Sequence, residues 1–207
     1  SPMDQKAQTL YSSLVGEHGL AVGKERRKIL RENMVNLLSK GVNCYSCTGL
    51  CCTFVANSMQ TDAIQTLELY LFLKENNRWN EELVSELKEV IKNNRLEYEI
   101  QTGIGTSFRR TYTCPFYNKG PKGCSIEPES KPYGCLGFNA RTPGASEGSD
   151  CTSDLELLNR REDQNQDMEQ VANSYLKSKL SLNWDRLPMP VALLRLNESL
   201  EKEGSYE

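Results

Sequence analysis

Cys44-Tyr45-Ser46-Cys47-Thr48-Gly49-Leu50-Cys51-Cys52 places four of the chain's eight cysteines within nine residues. Thiolates at CxxC spacing on a short loop are a metal-binding arrangement. Cys51 and Cys52 are adjacent, so their side chains diverge and reach a single metal only with difficulty. The pair therefore points to a polynuclear centre or to two neighbouring sites. A second group, Cys114, Cys124, Cys135 and Cys151, answers the first downstream, and all eight are candidate metal ligands.

A chain of 207 residues buries a hydrophobic core without help from cysteine. Ser1-Pro2 ahead of Met3 reads as an expression remnant. Residues 3–207 read as one domain, with a metal-binding core over 44–151 and a C-terminal helical segment over 153–203. No apolar run near the N-terminus has the length of a signal peptide or a membrane span, so a cytoplasmic protein is expected. In that reducing compartment clustered cysteines serve as ligands or redox thiols rather than as disulfides. The lone histidine, His18, excludes any site needing two imidazoles and reads as a surface residue.

The net charge of -3 gives no global basic footprint for nucleic acid. No membrane signal is present, and the partner, protein or small molecule, is unspecified. Locally, Arg109, Arg110, Lys119, Lys122, Lys131 and Arg141 outnumber Glu127 and Glu129, whereas Asp150 to Gln170 is acidic. Solvated faces explain both stretches. The basic one would also offset the negative charge of a polythiolate centre.

Outward from the first cluster, Ile29, Leu30, Met34, Leu37 and Leu38 predict a helix over Lys24–Ser39 that ends at Lys40-Gly41 and delivers the chain into the cysteine loop. Asp4 to Leu20 carries only a weak pattern. Thr53–Met59 is rich in strand formers and predicts a strand leaving the loop. Thr61 is the expected cap of a helix from Asp62 to about Asn76, apolar nearly all round and so buried. Asn80 caps a third helix to about Asn93, striped by Leu83, Val84, Leu87, Val90 and Ile91.

Gly103-Ile104-Gly105 is a turn rather than a nucleotide loop, lacking a third glycine and a following apolar helix. Ser107–Thr113 predicts a strand running into Cys114-Pro115-Phe116. Between Cys114 and Cys151 the density of proline and glycine excludes any regular helix or long strand, so metal ligation is the expected ordering force. Structural zinc in small peptides contributes about 10–16 kcal/mol of binding free energy. Ser153 is the expected cap of a long helix from Asp154 to about Leu180, with Leu155, Leu158, Met168, Val171, Ala172, Tyr175 and Leu176 inward and its charged middle, Arg160–Asp167, exposed or broken. Leu187-Pro188-Met189-Pro190 opens a last helix from Val191 to about Glu203. The fold class expected is α+β, mainly α-helical, with helices packed around a small antiparallel sheet of the segments starting at Thr53 and Ser107 and around the cysteine-rich core.

The cysteine pattern resembles the bacterial CxxCxxxCC cysteine-cluster family, described as zinc- or iron-chelating, to which flagellin lysine N-methylases belong. The resemblance rests on Cys44-x-x-Cys47-x-x-x-Cys51-Cys52, Cys114-Pro115-Phe116, Cys124-Ser125-Ile126 and Lys131-Pro132-Tyr133-Gly134-Cys135-x-x-Phe138, and covers Cys44 to about Phe138. An arginine that the family usually places beside Pro132 or Cys135 is absent, those positions holding Lys131 and Leu136. Cys151 lies beyond the family's common core, so its ligand role rests on spacing alone. The resemblance implies thiolate coordination of iron, as an iron-sulfur cluster, or of zinc, and more distantly a methylase.

Soft thiolates suit both metals: eight serve two four-thiolate zinc sites, or one [4Fe-4S] cluster with four thiols to spare. The adjacent Cys51-Cys52 pair favours the cluster. Spare thiols at Cys51 or Cys52 leave room for redox chemistry. Tyr45, Tyr112, Tyr117 and Tyr133 flank the cysteines, where packing and hydroxyl hydrogen bonds are their expected roles and oxygen ligation the alternative. Three functions remain in view: a metal-binding protein with a structural, redox or catalytic centre, a lysine N-methyltransferase-like enzyme using S-adenosylmethionine, and a zinc-stabilised adaptor.

Overall fold

The fourth helix, α4 (Ala63–Glu75), is the element that the others surround. Ile64, Leu67, Leu69, Tyr70, Leu71 and Leu73 are all buried, and so are Gln65, Thr66 and Glu68 on its remaining faces. A helix enclosed on every side can be apolar all round. The computed structural model describes residues 2–41, 58–97, 100–102, 106–108, 111–117, 124–140 and 151–204.

Within these residues the chain runs α1 (Pro2–Gly16), α2 (Gly23–Arg26), α3 (Lys28–Ser39), β1 (Gln60–Thr61), α4, α5 (Glu81–Asn94), β2 (Ile100–Thr102) and β3 (Thr106–Phe108). A 3-10 turn (Pro128–Ser130), α6 (Tyr133–Leu136), β4 (Phe138–Ala140), β5 (Cys151–Ser153), α7 (Leu155–Leu180), β6 (Leu187–Pro188) and α8 (Met189–Gly204) follow. The fold is α+β and mainly helical. α1, α7 and α8 pack directly on α4, while α5 packs on α8. Ala7, Leu10 and Leu14 of α1, where the sequence pattern was weak, join this core with Leu176, Leu180, Leu193, Leu196 and Leu200. A second, smaller cluster joins Leu30, Tyr133, Leu136 and Leu157, so α3, α6 and the start of α7 form a layer of their own.

Among the described residues the strands form three antiparallel pairs, β1 with β6, β2 with β3 and β4 with β5. Residues 53–57 of the strand expected over Thr53–Met59 lie outside the described residues. The strand that is seen begins at Gln60 and pairs with the approach to α8, Gln60 opposite Pro188 and Thr61 opposite Leu187. Ser107–Thr113 is shorter than expected: β3 ends at Phe108, and Tyr112 to Cys114 is irregular.

Three helix boundaries differ from expectation. Asp62, not Thr61, caps α4, its Oδ1 accepting from the Gln65 amide at 3.0 Å, while the Thr61 hydroxyl meets that of Thr66. Asp154, not Ser153, caps α7 by accepting from the Leu157 amide, Ser153 being held in β5. In both cases the preceding residue is tied into a strand pair, which leaves the aspartate at the first position where the chain turns. The helix expected over Lys24–Ser39 is split at Arg27, with φ -102° and ψ 4°. Successive residues of a regular helix point about 100° apart. The break lets Arg26 and Arg27 reach the same carboxylate. Asn80 caps α5 as expected, and Gly41, at φ +79°, closes α3.

α7 is continuous through its charged middle. Leu157, Arg161, Asn165, Glu169, Ala172, Leu176 and Leu180 form its buried stripe, whereas Leu155 is 67% exposed and Val171 49%. Polar residues thus occupy inward positions that an apolar template assigns elsewhere. Among the described residues no helix is long and apolar enough to cross a membrane.

Candidate metal centre and its arginine network

Cys44, Cys47, Cys51 and Cys52 lie outside the described residues, as does Tyr45. The other four candidate ligands sit on short elements. Cys114 is buried in the main core with Tyr112, Phe116 and Ile126. Cys124 bridges to Tyr117, and the Ser125 amide donates to the Phe116 carbonyl, which folds Cys114 and Cys124 back along one another's segments. Cys135 occupies α6, and Cys151 stands opposite Ala140 at the end of the β4–β5 pair remote from α6. Among the described residues no three His, Cys, Asp or Glu side chains converge into a metal-holding group.

Both flanks of the first cluster are anchored at the second group. On the near side, α3 packs on α6, with Ile29, Leu30 and Met34 against Tyr133 and Leu136. On the far side, the Met59 carbonyl accepts from the Tyr112 hydroxyl at 2.7 Å, two residues before Cys114, and from the Met189 amide. The Met59 side chain lies over Gly134, where a Cβ would come within 2.6 Å of its Cε. Gly134 directly precedes Cys135.

Beneath α6 lies a feature that sequence reasoning missed. Arg26, Arg27, Arg161, Glu68 and Glu169, all buried, surround Tyr133. Arg26 Nη2 meets Glu68 Oε1 at 2.5 Å and its Nε meets Glu169 Oε2 at 3.3 Å. Arg27 Nη1 donates to Glu68 Oε1 at 3.1 Å, and Arg161 Nη2 to Glu169 Oε1 at 2.6 Å. The Tyr133 hydroxyl donates to Glu169 Oε2 and accepts from Arg26 Nη2 at 2.8 Å. Its ring carries the guanidinium groups of Arg161 and Arg27 at 3.6 and 4.8 Å from the centroid.

Burial opposes ionisation of Glu68, but Arg26 and Arg27 outweigh it and hold the carboxyl below its usual range. Burial, abetted by Glu169 against the pull of Arg26, pushes the Tyr133 phenol upward. Tyr11 donates to Glu68 at 2.7 Å, and burial with that carboxylate pushes its phenol up to about 12.

Three guanidinium groups face two carboxylates, and Arg27 Nη2 is buried with no hydrogen-bond partner. An orphaned buried donor is costly, and a third buried carboxylate, Asp62, lies in the same cleft lining as Tyr133, Arg161 and Glu169. Arg78 donates to the Ser125 carbonyl and hydroxyl at 2.6 and 2.5 Å, beside Cys124, and among the described residues no carboxylate pairs with it.

A polar cleft of about 380 Å³ shares Tyr133, Arg161 and Glu169 with the network, and its lining also includes Asp62, Gln166 and Lys177. His18 is exposed, its ring against Tyr175. The hydroxyls of Tyr112 and Tyr133 are both engaged in hydrogen bonds within the protein, as packing roles require.

The missed residues leave a trace in the sequence: Arg161, Asn165 and Glu169 recur every four residues in register with Leu157 and Ala172, and Glu68 interrupts an otherwise apolar helix. No family model, curated protein or solved structure matches the chain.

Proposed function

We propose that the protein binds a metal centre, an iron-sulfur cluster or zinc, through the cysteine thiolates of both clusters. The observation that carries this reading is the anchoring of Met59, seven residues after Cys52 in the sequence: it is fastened to Tyr112 and laid over Gly134, beside the segments that carry Cys114 and Cys135. The spacing in the sequence and its resemblance to the CxxCxxxCC family support the same reading. Cys114, Cys124 and Cys135 would ligate from the second group, together with Cys44, Cys47, Cys51 and Cys52; Cys151 is the outlying member. Such a centre supplies structural cross-linking in either form, and electron transfer where it contains iron.

The test is metal content after substitution. Cys47→Ser and Cys135→Ser, one in each cluster, are expected to lose metal together and to fall in thermal midpoint. Full metal retention in both variants would remove the centre.

The cleft favours a second, enzymatic reading, in which a polar molecule lies over Tyr133 beside the centre. Its volume falls in the range of small-molecule sites, although its polar walls offer little to an adenine ring. Calorimetry of the metal-loaded protein with S-adenosylmethionine tests the methylase form of this reading, and absence of binding heat removes it.

A further inference from the structure

The short β1–β6 pair brings two opposite charges to the cleft and leaves them apart. Thr61 stands across from Leu187, so Asp62, the residue after Thr61, and Arg186, the residue before Leu187, leave the pair at the same end. Both line the cleft. Among the described residues neither makes an ion pair, with the other or with any third group.

The remaining charges of the lining are already answered. Arg161 closes on Glu169 and Lys177 on Asp185, each at 2.6 Å, while Glu162 is exposed and served by water. The described lining contains no aliphatic residue, so an apolar molecule has nothing there to pack against.

Asp62 is only 8% exposed and is held from two sides. Its Oδ1 accepts from the Gln65 amide at 3.0 Å and its Oδ2 from Asn173 Nδ2 at 3.2 Å. Asn173 is fixed in turn, its Oδ1 accepting from the Ile64 amide at 2.9 Å. Capping α4 accounts for the first of these bonds. The second places the other oxygen of a buried carboxylate against a positioned side chain at the cleft. An ionised carboxylate accepts about four hydrogen bonds, so Asp62 retains acceptor capacity. Arg186 is exposed, and its guanidinium makes no hydrogen bond among the described residues.

We propose that the cleft binds a free α-amino acid with a polar side chain, its ammonium group on Asp62 and its carboxylate on Arg186. Such a zwitterion supplies one charge of each sign, which is what the lining leaves unpaired. Its ammonium and carboxylate flank a single carbon, a short span that suits two side chains leaving one strand pair at the same end. Gln166 and Gln170, also in the lining, offer carboxamides to a polar side chain. The proposal rests on the reading of the cleft as a small-molecule site, names the ligand class for it, and holds whether or not the cysteines carry metal.

The experiment is calorimetric titration of the full chain, as purified, with each of the common polar amino acids at millimolar concentration and with leucine as the apolar control. At least one polar amino acid is expected to bind and leucine to give no heat. Analogues of the binder that lack the α-ammonium or the α-carboxylate are expected to fail. Arg186→Gln is expected to weaken binding about tenfold or more, as loss of a hydrogen-bonded charge does, and to leave the ligand-free thermal midpoint unchanged because the residue is exposed. Asp62→Asn keeps an oxygen to cap α4 and removes the charge, so a similar loss is expected; if it destabilises the chain, Arg186→Gln carries the comparison alone. The proposal is overturned if no polar amino acid binds, if the truncated analogues bind equally well, or if Arg186→Gln binds as the unmodified chain does. Binding of S-adenosylmethionine by a chain that takes no free amino acid would overturn it while leaving the enzymatic reading of the cleft in place.

Discussion

The hydroxyl of Tyr133 donates to the carboxylate of Glu169, which ties the short helix carrying Cys135 to the middle of the long helix α7. Glu169 receives Arg26 and Arg161 at the same time. One phenol thus joins the smaller hydrophobic layer to the charge network, beside the bond from Arg27 Nε to the Lys131 carbonyl. Tyr133→Phe keeps the ring under the guanidinium groups and removes only the hydroxyl. It is expected to cost about 1–3 kcal/mol, the range for leaving a buried polar group one partner short, as measured by denaturant unfolding.

Gly23 is required by the network. A Cβ there would stand 2.5 Å from Glu68 Oε2, 2.8 Å from Arg27 Nη1 and 3.0 Å from the Glu129 backbone oxygen. Two of these atoms are locked in the ion-pair cluster and the third is main chain, so none can yield cheaply. Gly23→Ala is expected to destabilise by about 1–3 kcal/mol, as overpacking does. Gly16→Ala, with open space around the new methyl group, serves as the control and should leave the thermal midpoint within a degree or two of its starting value.

Acid sensitivity follows from Glu68. Its carboxyl titrates lower in the folded chain than the ordinary value of 4.5, so the folded state binds fewer protons than the unfolded state over that interval. The stabilisation is complete above 4.5 and disappears as the pH falls through the folded value. Unfolding monitored from pH 6 downward should therefore show stability declining with acid. Glu68→Gln should be less stable at pH 6 but show a shallower decline; an equally steep decline would place the acid sensitivity elsewhere.

Cys151 distinguishes a centre confined to the CxxCxxxCC pattern from one that extends beyond it. It sits three residues along β5 from Asp154, at the end of the strand pair away from α6. Cys151→Ser is expected to cost less metal than Cys135→Ser, and metal analysis of the two purified variants side by side measures the difference. Equal losses would make Cys151 a full ligand.

The helical frame was readable because its signals are local. Asn80 with the stripe through Leu83, Leu87 and Ile91 defines α5, and the unbroken apolar run from Leu69 to Leu73 marks α4 as enclosed. The caps at Asp62 and Asp154 were displaced by one residue because Thr61 and Ser153 are equally good cap types and only strand pairing removes them from the role. The arginine network was not readable by hydrophobic periodicity, which treats every charged residue as outward. Arg161 and Glu169 face inward because Arg26 of α2 and Tyr133 of α6 meet them there, and those partners are distant in sequence. The cysteine spacing spoke for thiolate chemistry from the start. The short elements that carry Cys114, Cys124, Cys135 and Cys151 have no periodicity to read.

The most direct measurement is metal and acid-labile sulfide analysis of anaerobically purified protein, with an absorption spectrum of the same sample. The proposed centre predicts stoichiometric metal, as iron with sulfide and a broad visible band or as zinc without sulfide, and loss of folded structure on chelation. A cooperatively folded protein that contains neither metal and is indifferent to chelator would contradict it.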